Sequence, residues 1–216
     1  MKRIRFISLI CVLCFMLSGC IDIFQSLTKD SNGVDKTTIK VSVSKLILAM
    51  ANGFSDSDKN TDYEKLFEES ELNTVDIKNY SQFGATVKKV NDTMDVGYLL
   101  EMNIDYRDRN TVNRINQSNV SFIPRYNGKN VTVHIGCLGD STGTTEDNAM
   151  AAAFLSAGKY RLAISKKCIA AVSKAVVVTT DGEMEIGFVD LYDQYLVEIP
   201  ISFLYLSDVD LTVYSK

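Results

Sequence analysis

The chain has one histidine, two prolines and no tryptophan among its 216 residues. With His134 alone, no Cys/His group has the spacing of a tetrahedral zinc site. No glycine-rich loop leads into a lysine-bearing helix, which excludes phosphate binding of that kind. After residue 19 no apolar run is long enough for a bilayer-spanning helix, and there is no internal repeat or low-complexity tract. Positive charge is also short: 23 basic residues stand against 27 acidic ones, a balance that disfavours nucleic acid as a partner.

What is present is ordinary globular composition, 46% hydrophobic and 23% charged, which excludes disorder throughout. The length suits one domain with a substantial core.

The first twenty residues, "MKRIRFISLICVLCFMLSGC", differ from the rest. Lys2, Arg3 and Arg5 form a basic head, Phe6 to Leu17 carry no charge, and small residues precede Cys20. That order is a secretory signal, too short to span a bilayer comfortably. Leu17-Ser18-Gly19-Cys20 resembles the lipobox of bacterial lipoproteins. The resemblance implies cleavage after residue 19, a diacylglyceryl group on the Cys20 thiol, and anchoring in the cell envelope through acyl chains. In a two-membrane host, Ile21 rather than an aspartate after the cysteine implies the outer membrane. Losing residues 1–19 leaves 20 of the basic residues against all 27 acidic ones, a net charge near −7.

Cys11 and Cys14 leave with the signal and Cys20 takes lipid, so Cys137 and Cys168 remain as a candidate disulfide in an oxidising compartment, two buried thiols being the alternative. Residues 20–35, with Lys29 to Asp35 polar and punctuated by Ser-Asn-Gly, read as a lipidated tether. A single β-rich domain is expected over 36–216.

Period two dominates that domain. Ile39, Val41 and Val43 alternate with Lys40, Ser42 and Ser44, and Val96, Tyr98, Leu100, Met102 and Ile104 share one face. Asn127-Gly128 and Asp181-Gly182 sit between alternating runs and predict hairpins with type I′ turns. Tyr195, Val197, Ile199, Ile201, Phe203 and Tyr205 extend the alternation, with Pro200 marking an edge or a bulge and a turn at Ser207-Asp208 before a last strand. Two short helices are expected, near 62–70 with Thr61 as N-cap and near 145–157 capped by Thr144 or Thr145. The expected fold is mainly β, an antiparallel sandwich or curved sheet carrying one or two short helices.

Four constellations could carry chemistry. "HIGCLGDSTGTT", residues 134 to 145, places Ser141 at a strand-to-helix junction and is similar to the Gly-Asp-Ser blocks of GDSL-type esterases and chymotrypsin-like proteases. Those families need a base that this chain does not supply: no histidine follows Ser141, and His134 lies on the strand feeding the loop, pointing opposite to Val133 and Ile135. Ser42-x-x-Lys45 matches a spacing in penicillin-binding proteins without its partner motifs. Asp58, Asn60, Asp62 and Glu69 fall at calcium-binding positions of an EF-hand loop, but Tyr63 replaces the turn glycine and Lys65 the apolar residue. Asn116-Gln117-Ser118 and Asn119-Val120-Ser121 mark surface.

The residues call for no cofactor. They read as a membrane-anchored binding, adhesion or structural module whose partner is a protein or a small molecule. An exposed aromatic patch from Tyr106, Tyr126 and Tyr192 would serve adhesion. A cavity lined by Phe154, Leu155, Phe203 and Tyr205 would instead carry a lipid or other hydrophobic ligand, and a hydrolase would need Ser141 beside a base.

Overall fold

The computed structural model describes residues 21–51, 62–69, 77–138 and 158–216. The chain is mainly β, as its period-two patterning predicts, and its strands form two sheets. The larger sheet begins at once: β1 (Ile21–Lys29) turns back through Asp30 to Val34 into β2 (Asp35–Ser44). β3 (Thr86–Asn91) and β4 (Asp95–Ile104) extend it on one side. On the other side lie β7 (Lys159–Ser165), β10 (Phe188–Asp190) and β11 (Gln194–Pro200), giving the order β10-β11-β7-β1-β2-β4-β3. The smaller sheet runs β5-β6-β12-β8-β9, from β5 (Pro124–Asn127), β6 (Asn130–Ile135), β8 (Val172–Thr179), β9 (Gly182–Ile186) and β12 (Val209–Ser215).

Each sheet buries one face, and the two faces share one core. Ile23 and Leu27 of β1, Ile39 and Val41 of β2, Leu100 and Met102 of β4, and Leu162 and Ile164 of β7 meet Val131, Val133, Leu211 and Val213 of the smaller sheet. Their alternate neighbours carry the charges of the outer face, such as Arg161, which pairs with Asp22 and Glu198 at 2.5 and 2.7 Å. The hydrophobic pattern therefore sets the register, since a one-residue slip would put every core side chain in water.

The largest departure from expectation is at residues 20–35. The stretch read as a tether supplies β1, the middle strand of the seven, paired along its length with β2 antiparallel and with β7 parallel. Polar residues Gln25, Ser26 and Thr28 hide an alternation in which Ile21, Ile23, Gln25 and Leu27 all face the core. The Ser-Asn-Gly punctuation is only the hairpin turn, where Asp30 accepts N–H bonds from Asn32 and Val34 and Gly33 takes a positive φ of 79°. Folded structure is thus already in place at Ile21, fifteen residues before Lys36.

Both predicted hairpins form, shifted by one position. The two-residue loops are Gly128-Lys129 and Thr180-Asp181, closed by the pairs Asn127↔Asn130 and Thr179↔Gly182. Gly128 takes φ 62° at the first loop position, and Phe122 is the one non-glycine with positive φ among the described residues. Neither loop therefore has the two consecutive positive φ values of a type I′ turn.

The strand predicted through Ile201, Phe203 and Tyr205 ends at Pro200, and Ile201–Leu206 is a helix, α5 in chain order. Among its described side chains the buried ones are Ile201 and Leu204, three apart, a helical spacing that alternating apolar residues contain as well. Pro200 occupies its N-cap position, and the Ile201 N–H donates to Gly158. The helix expected near 62–70 is α2 (Tyr63–Glu69), capped by Asp62, whose carboxylate accepts the Lys65 N–H; Thr61 and the helix expected at 145–157 lie outside the described residues. Three further helices were not legible: α1 (Lys45–Ala51), α3 (Ile77–Ser81) and α4 (Arg109–Gln117). α4 buries only Ile115 among polar residues, so it shows no apolar stripe; its mark is the Asp108 cap on Asn110 and Thr111.

Candidate functional site

At the end of the sandwich where the β1–β2 turn, the β5–β6 hairpin and the β7–β8 turn converge lies a cleft of about 470 Å³. Its centre is Asp35, the first residue of β2. The β1–β2 ladder sets Asp35 opposite Lys29 and the alternation of β2 turns it inward, so the carboxylate is only 6% exposed.

Donors converge on that carboxylate. Tyr126 of β5 donates its phenolic hydrogen to Asp35 Oδ1 at 2.9 Å, and Cys168 directs its thiol to the same oxygen at 3.7 Å. The Lys29 ammonium is 3.8 Å from it and 6.0 Å from the centre of the Tyr126 ring. Tyr106 packs edge-on against Tyr126, ring centres 4.7 Å apart, and donates its hydroxyl to Pro124 O. Lys129, Ala170, Ala171 and Lys216 are among the other residues that line it.

Burial, followed by the nearby Asp35 charge, pushes the Cys168 thiol up to about 11. Burial likewise holds the Tyr106 and Tyr126 phenols well above their ordinary range. All three stay protonated at neutral pH. The cluster is a set of hydrogen-bond donors around one carboxylate, and its thiol is not an activated nucleophile.

Tyr106 and Tyr126 thus line this cleft, whereas Tyr192, fully exposed, stands at the β10–β11 turn. The structure does not join Cys137 to Cys168. Cys137 follows β6 beyond the Val209 end of β12, its N–H donating to Asp208 at 2.7 Å, while Cys168 belongs to the turn whose Ala171 receives the Lys216 N–H at the other end. The seven residues of β12 separate those ends by about 20 Å, far beyond the roughly 7 Å limit for bridged Cα atoms.

His134 is on the outer face of β6 as its alternation requires, with Nδ1 2.8 Å from Asp210 Oδ1 of β12. The imidazole is therefore backed by a carboxylate; Ser141 lies outside the described residues. So do Cys20, Asp58 and Asn60, while Asp62 caps α2 and Glu69 ends it. Ser42 is in β2 and Lys45 starts α1, whose Nζ donates to Asp92 O. Phe203 of α5 borders a second cleft, about 280 Å³, with Val177 and Met184; Phe154 and Leu155 lie outside the described residues.

The sequence alone does not point to Asp35, because it closes a segment that reads as a tether. The usable signal was the pair of alternating runs, 21–27 and 37–43, flanking Asp-Ser-Asn-Gly, which is a hairpin pattern.

Neither a scan against protein-family models nor a search of curated proteins gives a match. Among solved structures, the chain is similar to the folded domain of LppM from Mycobacterium tuberculosis, determined by NMR. The two are 12% identical, the match covers 92% of each chain, and the TM-score is 0.38.

Proposed function

We propose that this chain is a lipid-anchored protein of the bacterial cell envelope, held by acyl chains on Cys20, whose β domain recognises a protein or small-molecule ligand at the Asp35 cleft. The observation that carries the reading is that Ile21, one residue after the lipobox cysteine, is already paired in the sheet, opposite Val43 of β2. Cleavage after residue 19 would remove the apolar signal and leave every described strand whole. Cys20 is where the basic head, the apolar run and the small residues converge in register.

Recognition rather than covalent chemistry fits the cleft, because its thiol and phenols are held protonated around a buried carboxylate. A cleft that is part aromatic and part charged, open at the end of a rigid sandwich, is a common form of ligand site. In a two-membrane host, Ile21 after the cysteine favours the outer membrane.

Metabolic labelling with a palmitate analogue tests the anchor. The wild-type chain should take up label and sediment with membranes, and Cys20→Ala should do neither. Label retained by Cys20→Ala would overturn the reading.

A further inference from the structure

We infer that the end of the sandwich carrying Ile21 rests on the lipid bilayer, with Leu46, Met94 and Phe203 set among the headgroups and the Asp35 cleft facing away from the membrane. This rests on the lipoprotein reading above and adds an orientation and a contact surface to it.

Strand register shows which residues share that end. Ile21 pairs with Val43, and Val43 with Val96. On the other side Asp22 pairs with Lys159, and Lys159 with Pro200. The start of β1, the end of β2, the start of β4, the start of β7 and the end of β11 are therefore level. From that level α1 leaves β2 with Leu46 45% exposed, the β3–β4 turn presents Met94 at 68%, and α5 leaves β11 with Phe203 at 37%. Met184, 41% exposed, joins Phe203 along the second cleft.

These side chains flank the anchoring point. In the order β11-β7-β1-β2-β4, the strand preceding Phe203 is two places to one side of β1 and the strand following Met94 is two places to the other. At about 4.8 Å per strand, each lies roughly 10 Å laterally from Ile21. Ile21 is already in the ladder, so an acyl group on Cys20 would bring the bilayer to within one residue of this end. Apolar side chains on both sides of the lipid would then leave water together. The acyl chains alone suffice for stable anchoring, and the acidic net charge of the mature chain gives no general electrostatic attraction to anionic lipid, so the contact this end adds is an apolar one.

The opposite end holds Lys29, Asp35 and the β7–β8 turn, together with Tyr192 at the β10–β11 turn.

The chain has no tryptophan, so a single introduced one is an unambiguous probe. Met94→Trp, Phe203→Trp and Tyr192→Trp variants of the full chain, purified after processing, are reconstituted in vesicles of phosphatidylethanolamine and phosphatidylglycerol with or without brominated acyl chains. Leu46→Trp replaces either of the first two if it fails to fold. The expected result is loss of fluorescence to brominated lipid at positions 94 and 203, and no loss at 192. Equal, weak quenching at all three positions in protein whose mass includes the acyl groups would overturn the orientation and leave the lipoprotein reading standing. Protein whose mass lacks acyl groups would overturn both.

Discussion

Tyr160 donates its phenolic hydrogen to Gln25 Oε1 at 2.7 Å, and both side chains are wholly buried. The same amide donates through Nε2 to Phe122 O, also at 2.7 Å. One glutamine in the middle strand of the larger sheet thus ties β7 to the loop that enters the smaller sheet. Phe122 takes a φ of 62° there, its N–H donating to His134 and its ring 5.8 Å from that of Tyr160.

Gln25→Leu should therefore destabilise strongly, because it leaves the Tyr160 hydroxyl and the Phe122 carbonyl buried without partners, about 1–3 kcal/mol for each. Combining it with Tyr160→Phe should recover part of the loss, since one orphaned group is removed. Urea midpoints of the single and double variants measure this. A Gln25→Leu midpoint equal to wild type would show that the link contributes nothing.

Gly97 is the position where β4 tolerates no side chain. A Cβ there would stand 2.0 Å from Val41 O and 2.8 Å from Ser42 Cα, backbone atoms of a strand paired on both sides. Gly97→Ala should cost about 1–3 kcal/mol or more through overpacking. Thermal unfolding reads the loss, and an unchanged melting temperature would contradict the close approach.

Cys168 should alkylate slowly with iodoacetamide at neutral pH in a Cys137→Ser background, because its thiolate is disfavoured first by burial and then by Asp35. Asp35→Asn removes the charge and should speed the reaction, followed by mass spectrometry. The same shift gives a pH dependence. Below about 9 the thiol is protonated folded or unfolded, whereas between about 9 and about 11 only the folded chain keeps the proton. Stability from this group is present at neutral pH and should decline as pH rises through that window. An alkylation rate unaffected by Asp35→Asn would contradict the pairing.

Thiol counting tests the separation of the cysteines. Unfolded under non-reducing conditions, the protein should show Cys137 and Cys168 both reactive, and under the proposed lipidation Cys20 should not react. A mass two hydrogens below that of the reduced chain would instead show the disulfide that the spacing of the two residues in the fold forbids.

The alternation in 37–43, 96–104 and 131–135 was legible because strand side chains repeat every two residues whatever the rest of the chain does. The same rule failed at Ile201, where a short apolar run satisfies strand and helix alike and the stop at Pro200 decides. It failed again at 21–29, where a buried glutamine reads as polar until Tyr160 and Phe122 are seen to satisfy it. Of the candidate site, Tyr106, Tyr126 and Cys168 were each singled out, but for adhesion and for a disulfide; Asp35 was not.

By itself the sequence determined that this is a mainly β protein with two tight hairpins, because those features depend on residues adjacent or nearly adjacent in the chain. Tertiary structure alone decided that the segment after Cys20 is the central strand, that Cys137 and Cys168 stand at opposite ends, and that Asp35, Tyr126 and Cys168 share a cleft. Asp35 and Cys168 are 133 positions apart; the pairing of β1 with both β2 and β7 brings Asp35 and the β7–β8 turn together, and the packing of the smaller sheet on the larger adds Tyr126 of β5.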